Sequence, residues 1–184
     1  MAASGGKGIK MQMSLKKRVQ GFTLIELVVV IIILGILAII AAPKFMNLQR
    51  DAKVNAVKGY LGQMQDMTKM LHMKAQIVNT TGDDVTIATQ YGDYQFYAGF
   101  PETKSESTSP NLYFLETFMD LGVPKQQTKD NTKRQADYGD IQAFEDNDYS
   151  RLGYGTGDLT AGQCYAEYHH TSTGHSFLFE TDGC

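Results

Sequence analysis

From Leu27 to Ala42 the chain carries no charge, and the residue that opens this run is a carboxylate, Glu26. A long apolar stretch dictates a helix, because in lipid every backbone N–H and C=O must find its partner inside the segment. Phe22–Ala42 spans about 31 Å as a helix, enough to cross a bilayer core. An acid in such a segment costs about 2.5–3.5 kcal/mol at a helix centre on insertion scales, so Glu26 reads as a functional group. Its natural partner is a positive charge. A cut after Gly21 would create one, the α-amino group of Phe22.

Charge divides the chain at the same place. Lys7, Lys10, Lys16, Lys17 and Arg18 precede Gly21 and no acid does, so the remainder holds 12 of the 17 basic residues and all 20 acids. A basic N-terminal flank stays cytoplasmic by the positive-inside rule, which places an acidic domain on the far side of the membrane. That domain is a poor match for a polyanion, so nucleic acid is not expected as its main partner. A removed secretory signal is the alternative, leaving a soluble periplasmic binding domain. Against it stand the length of the apolar run, the intrusion of Glu26 and Pro43 beside the scissile bond.

The helical pattern continues past Pro43. Apolar residues recur at Leu48, Ala52, Val54, Val57, Leu61, Met64, Met67, Leu71, Ala75 and Val78, giving a one-sided stripe, and Asn79–Gly82 supplies a stop. The spacing predicts one long helix, apolar all round in its first half and amphipathic in its second. Gly35 and Pro43 weaken it, glycine by backbone freedom and proline by a lost ladder bond.

Gly21-Phe22-Thr23-Leu24-Ile25-Glu26, with its basic flank and apolar run, resembles the processing site of type IV prepilins. The resemblance implies cleavage between Gly21 and Phe22 by a prepilin peptidase, N-methylation of Phe22, and pairing of Glu26 with the Phe22 amine of a neighbouring subunit. Gly35 and Pro43 match the family's helix-breaking positions, which implies local unwinding on assembly. Ala41-Ala42-Pro43-Lys44-Phe45-Met46-Asn47-Leu48-Gln49 and the ending Thr181-Asp182-Gly183-Cys184 resemble the mannose-sensitive haemagglutinin pilin group. Residues 1–21 are long for such a leader, and Met13–Gly21 alone, or a start at Met11, would be more typical than a start at Met1.

Beyond Gly82 the composition turns to aromatics, threonine and glycine. Val85–Thr89 and Tyr94–Ala98 read as strands, Glu102–Pro110 as a polar loop, Asn111–Leu121 as a helix and Lys125–Asp140 as an exposed loop. Gln163–His170 and His175–Thr181 read as a hairpin about Thr171–Gly174. The fold class expected is α+β, the type IV pilin fold: a long N-terminal helix whose C-terminal half packs on an antiparallel sheet. Its segments are a leader (1–21), a transmembrane and assembly half-helix (22–42), an amphipathic half-helix (43–79) and a β-rich head (80–184). Cys164 and Cys184 in an exported domain read as a disulfide, contributing about 3 kcal/mol on the chain-entropy model.

Chemistry is sparse. Gly153–Gly157 lacks the lysine and helix of a phosphate loop and reads as a turn. His169 and His170 point to opposite faces of a strand, so at most one joins His175, and surface histidines are expected. Asp146, Asp148 and Asp158 form an acid-rich loop that could take calcium or remain solvated; Arg151 stands where a hand-type loop needs glycine. Asn79-Thr80-Thr81 matches a glycan acceptor triplet.

No cofactor and no enzymatic activity are expected. The resemblance implies a pilin that waits in the inner membrane with its head in the periplasm, then polymerises into an extracellular pilus on a Gram-negative bacterium. The implied partners are further copies of itself, the prepilin peptidase, an assembly ATPase, an inner-membrane platform, an outer-membrane secretin, and a host or abiotic surface. Adhesion, biofilm attachment and haemagglutination are the implied roles; a pseudopilin of a type II secretion system is the alternative within the same architecture.

Overall fold

A computed structural model of the chain describes residues 21–78, 82–172 and 174–184. Residues 1–20, the Asn79-Thr80-Thr81 triplet and Thr173 lie outside the described residues, and with them the expected leader and its alternative starts. The chain divides between Pro43 and Lys44 into two compact units. Helix α1 runs Leu24–Ile77 and contains Pro43. In the first unit its side chains are exposed on every side, and its most apolar window has a mean hydropathy of 3.3 with no part buried. A surface of that kind is stable only in lipid or against other helices.

In the second unit α1 is one-sided. Val57, Met64, Thr68, Leu71 and Ala75 are buried, at spacings of three, four and seven that keep them on one face. They enter a core with Ile87, Tyr94, Phe96, Phe114, Leu115, Phe118, Leu152 and Tyr168. The fold is α+β, with the C-terminal part of a long helix laid on antiparallel sheet.

Strands β1 (Val85–Thr89), β2 (Gly92–Tyr97) and β3 (Phe100–Pro101) form a three-stranded sheet, with Ile87 opposite Tyr94 and Phe96 opposite Pro101. Strands β4 (Lys104–Ser105) and β5 (Leu112–Tyr113) pair and lead into helix α2, Phe114–Phe118. The remaining strands are β6 (Gln126–Lys129), β7 (Arg134–Asp137), β8 (Gln142–Glu145), β9 (Tyr149–Gly153), β10 (Tyr165–Thr171) and β11 (Gly174–Glu180). They make an antiparallel six-stranded meander in chain order. Ala136, Ala143, Leu152 and Ala166 line up across it and face the core.

The expected strand pair near Val85–Ala98 and the hairpin near Gln163–Thr181 are present. Three expectations need correction. Glu102–Pro110 is not all loop, since Lys104–Ser105 forms β4 and is buried. Lys125–Asp140 is no loop: it forms the hairpin β6–β7, with Thr128 opposite Gln135. The helix expected over Asn111–Leu121 keeps only five residues, because its first part is recruited into β5 and Met119 is extended. Residues 142–153, given no element by pattern, are β8 and β9.

A buried ion pair explains why this sheet is hard to see in the sequence. Arg134 and Glu145 stand directly opposite on β7 and β8, both buried, with Nη1 2.8 Å from Oε2. Glu145 also accepts the Leu115 N–H at 2.5 Å and the Ser150 hydroxyl at 3.3 Å. Burial pushes the Glu145 carboxyl up to about 7, against the pull of Arg134 and the Leu115 N–H. Arg134 also donates to the Tyr138 hydroxyl at 2.7 Å and to Gln127 at 3.3 Å, while its buried Nε, 3.8 Å from Glu116, makes no hydrogen bond among the described residues.

Candidate assembly site

Thr23 stands immediately before helix α1, and its side chain and Glu26 cap each other. The Thr23 N–H and the Thr23 hydroxyl both donate to Glu26 Oε2 at 2.9 Å, and the Glu26 N–H donates to Thr23 Oγ1 at 3.3 Å. This is a reciprocal capping box, in which the N-cap hydroxyl and the carboxylate three residues on satisfy each other's backbone donors. The acid singled out by its position in an apolar run therefore has a local role as well. The residue missed was Thr23. Its signal was there to read, as a Thr-x-x-Glu spacing immediately before an apolar run.

Gly21 and Phe22 lie just before the helix, outside regular structure, and Phe22 is 90% exposed. The Gly21–Phe22 peptide is thus next to the capped carboxylate. A Cβ placed on Gly35 would meet nothing within 4 Å. Nothing inside the subunit requires glycine there.

At the other end of the chain Cys164 and Cys184 are joined, with Cα atoms 5.0 Å apart. The disulfide lies where backbones run close. A Cβ on Gly153 would fall 2.2 Å from the Cys164 carbonyl oxygen, and one on Gly183 would fall 1.8 Å from the Gly162 carbonyl oxygen. Only hydrogen fits in either place.

The remaining candidates separate. Asp146 caps the β8–β9 turn, its Oδ1 accepting the N–H of Asp148 at 2.9 Å and of Tyr149 at 2.8 Å. Asp158 is held by Thr160 in the following loop and sits 3.9 Å from Arg151. Among the described residues no group of three or more carboxylate, histidine or cysteine side chains is placed to hold a metal ion. The acid-rich segment is split between two turns, each using its carboxylate on its own backbone.

The histidines gather more closely than expected. His170 stands opposite His175 across β10 and β11, while His169 lies on the other face against Tyr149. His72 of α1 stacks on one side of Phe100, with ring centroids 3.9 Å apart, and His175 covers the other at the same distance. His72 Nδ1 donates to the Gly99 carbonyl at 2.8 Å, and its Nε2 lies 2.9 Å from Gln76 Nε2. His170 is buried, which corrects the expectation of surface histidines. Burial lowers the pKa of both His170 and His175.

Comparison with known proteins bears on the N-terminal segment. Residues 16–42 match the prokaryotic N-terminal methylation motif. The chain is 30% identical over 95 residues to a type IV major fimbrial protein FimA of Dichelobacter nodosus, covering 52% of this chain and 57% of that one. A second FimA of that species is 45% identical over 51 residues, 28% of this chain and 33% of that one. A type II secretion system core protein G of Pseudomonas aeruginosa is 48% identical over 44 residues, 24% of this chain and 31% of that one. The matches thus span between 31% and 57% of these relatives' length. The chain is similar to type IV pilins and to this secretion protein; no solved structure matches it.

Proposed function

We propose that this chain is a structural subunit of a type IV pilus, cleaved between Gly21 and Phe22, methylated on Phe22 and polymerised through its N-terminal helix. One observation carries the reading: an apolar helix exposed on every side, opening on a capped carboxylate next to a Gly21–Phe22 peptide outside regular structure. Such a surface needs lipid before assembly and other helices after it. Glu26 then faces the Phe22 amine of a neighbour, where two charges that are costly apart become tolerable as a desolvated pair. Gly35 and Pro43 serve as the points at which the helix loosens. Head-to-tail contacts that do not close give a helical fibre.

In this reading the subunit is anchored in the inner membrane with its head in the periplasm, and joins an extracellular pilus on a Gram-negative cell. Its helpers are a prepilin peptidase, an assembly ATPase, a platform protein and a secretin. Adhesion to host or abiotic surfaces, biofilm attachment and haemagglutination are the roles assigned to the fibre, with the mannose-sensitive haemagglutinin pilins as the subgroup. The similarity to a type II secretion core protein favours a second reading, a pseudopilin acting as a short periplasmic piston.

The test is to shear cells, sediment the supernatant at high speed, and determine the N-terminal residue and intact mass of the subunit. N-methylated Phe22 in a sedimentable polymer supports the pilus reading. Processed Phe22 confined to cell membranes moves the assignment to the pseudopilin. A soluble product beginning near Pro43 overturns both in favour of a periplasmic binding domain.

A further inference from the structure

Methionine is placed unevenly in this chain. Of its nine methionines, four fall at Met64, Met67, Met70 and Met73 in the stem, residues 44–77 of α1. Three residues turn a helix by about 300°, so each of these side chains lies about 60° round from the last. The run therefore winds from the core out to solvent. Met64 is fully buried and Met67 half-buried, while Met70 and Met73 are 46% and 48% exposed. Met64 fills the core as a large flexible apolar residue does. Packing gives no such reason for methionine at position 70.

The fold brings a fifth methionine to the same flank of the stem. Met67 and Met70 line an open cleft of about 430 Å³, and so does Met119, which follows α2 in extended chain. Three thioethers from two separate elements thus share one cleft. Asp66 and Asp120 line it as well, and among the described residues neither is in an ion pair. No lysine or arginine among the described residues lines it; Lys74, one turn beyond Met70, lines the adjoining cleft. Thioether sulfur differs in kind from the carboxylates and imidazoles considered above. It is a soft, neutral donor that suits Cu(I), whereas carboxylate suits harder ions. Methionine's rotatable bonds let such donors close on an ion, and two unpaired carboxylates favour a cation beside them.

We infer that Met67, Met70 and Met119 form a binding site for a soft monovalent metal ion of the Cu(I) type, with Asp66 and Asp120 supplying the compensating charge. The site lies within one copy of the chain and does not rest on the filament reading. Both cysteines are joined in the disulfide, so no thiol competes for the ion. Thioethers carry no proton to displace, so uptake holds as pH falls, whereas an imidazole site loses its metal when the ring protonates.

The test titrates Ag⁺, a redox-silent ion of the same ligand preference, into the full chain in detergent micelles and chloride-free buffer, with the methionine methyls labelled for NMR. Expected is one ion per chain, with the methyl signals of Met67, Met70 and Met119 moving together. That of Met46, 70% exposed on the same helix, should stay in place. Met70→Leu and Met119→Leu conserve volume and keep the fold, read as an intact disulfide and an unchanged thermal melt. Each should weaken binding about tenfold or more, and Met46→Leu should not. Affinity should match at pH values of about 5.5 and 7.5, and excess Zn²⁺ should not compete. Full affinity in the Met70→Leu Met119→Leu double variant overturns the site. So does movement of Met46 to the same extent, or loss of binding at the lower pH or in His72→Gln. Should Met119→Leu fail to fold, the wild-type methyl shifts and Met70→Leu, at an exposed position, decide the matter.

Discussion

Glu26 Oε2 accepts two hydrogen bonds from Thr23, so in the free subunit the carboxylate is held at the start of its own helix. Under the proposed pairing, the cap gives Glu26 something to lose when it turns to a neighbour's amine. Glu26→Gln and Glu26→Leu are expected to leave expression and membrane insertion intact but to impair assembly, read as sheared polymer. Normal yield from both would refute the pairing. Thr23→Ala keeps the carboxylate and removes the hydroxyl, at a cost of about 0.5–2 kcal/mol of local helix stability. Faster amide exchange over residues 24–27 in detergent micelles is the expected signature.

Cys184→Ser is expected to lower the head's stability by about 2–4 kcal/mol, because the bond closing residues 164–184 no longer restricts the unfolded chain. Denaturant midpoints of a head fragment lacking the apolar half-helix would measure it. A shift within error would show that the packing of Gly183 against Gly162 holds the tail unaided.

Gly153→Ala asks for space that is not there, since the added carbon would sit 2.2 Å from a backbone oxygen and 2.5 Å from the Tyr165 Cα. Both neighbours are main chain, so β9 and β10 would have to part. A loss of about 1–3 kcal/mol is expected, in the range seen for overpacking. Gly157→Ala, where a Cβ meets nothing within 4 Å but φ is +66°, should cost less.

Glu102 and His170 line one small pocket beside Tyr97 and Asp148, and their protonation works in opposite directions. Burial, then the nearby Asp84 and Glu106, raises Glu102 to about 7. The folded state thus holds that proton more tightly than the unfolded chain, and stability from this group is lost as pH rises from about 4.5 to 7. His170 is shifted down by burial, so its contribution is lost as pH falls below about 6.5. Glu102→Gln should therefore flatten the loss of stability as pH rises from about 4.5 to 7, and His170→Phe the loss as pH falls below about 6.5, in thermal melts from pH 4.5 to 8. An unchanged pH profile in Glu102→Gln would rule out its part.

Long helix, one-sided stem and terminal hairpin were legible because apolar spacing marks them directly. Strands β6 to β9 were not, and the reason is specific. The core-facing row of β7 and β8 consists of Ala136, Ala143 and the Arg134–Glu145 pair, so the buried positions look polar or small and the usual alternation is missing. Asn111–Leu121 kept helical spacing, yet pairing of Leu112–Tyr113 with Lys104–Ser105 overrode it. At the candidate assembly site, Glu26 stood out by its isolation, while Thr23 needed the capping spacing to be read as well. The histidine stack around Phe100 joins α1, β3 and β11, and no local pattern announces a contact between residues so far apart in the chain.

The buried Arg134–Glu145 pair has a consequence for how the sheet chooses among its own mispairings. Strands with glutamine and threonine on the exposed side could slide past one another at little cost in burial, and a slip of one residue turns every side chain to the opposite face. Here a slip would strand a guanidinium or a carboxylate in the core without its partner, an error far dearer than a misplaced alanine. The pair works as a key cut for a single alignment of β7 and β8. A meander that lacks large aliphatic residues on those strands thereby still closes in one way.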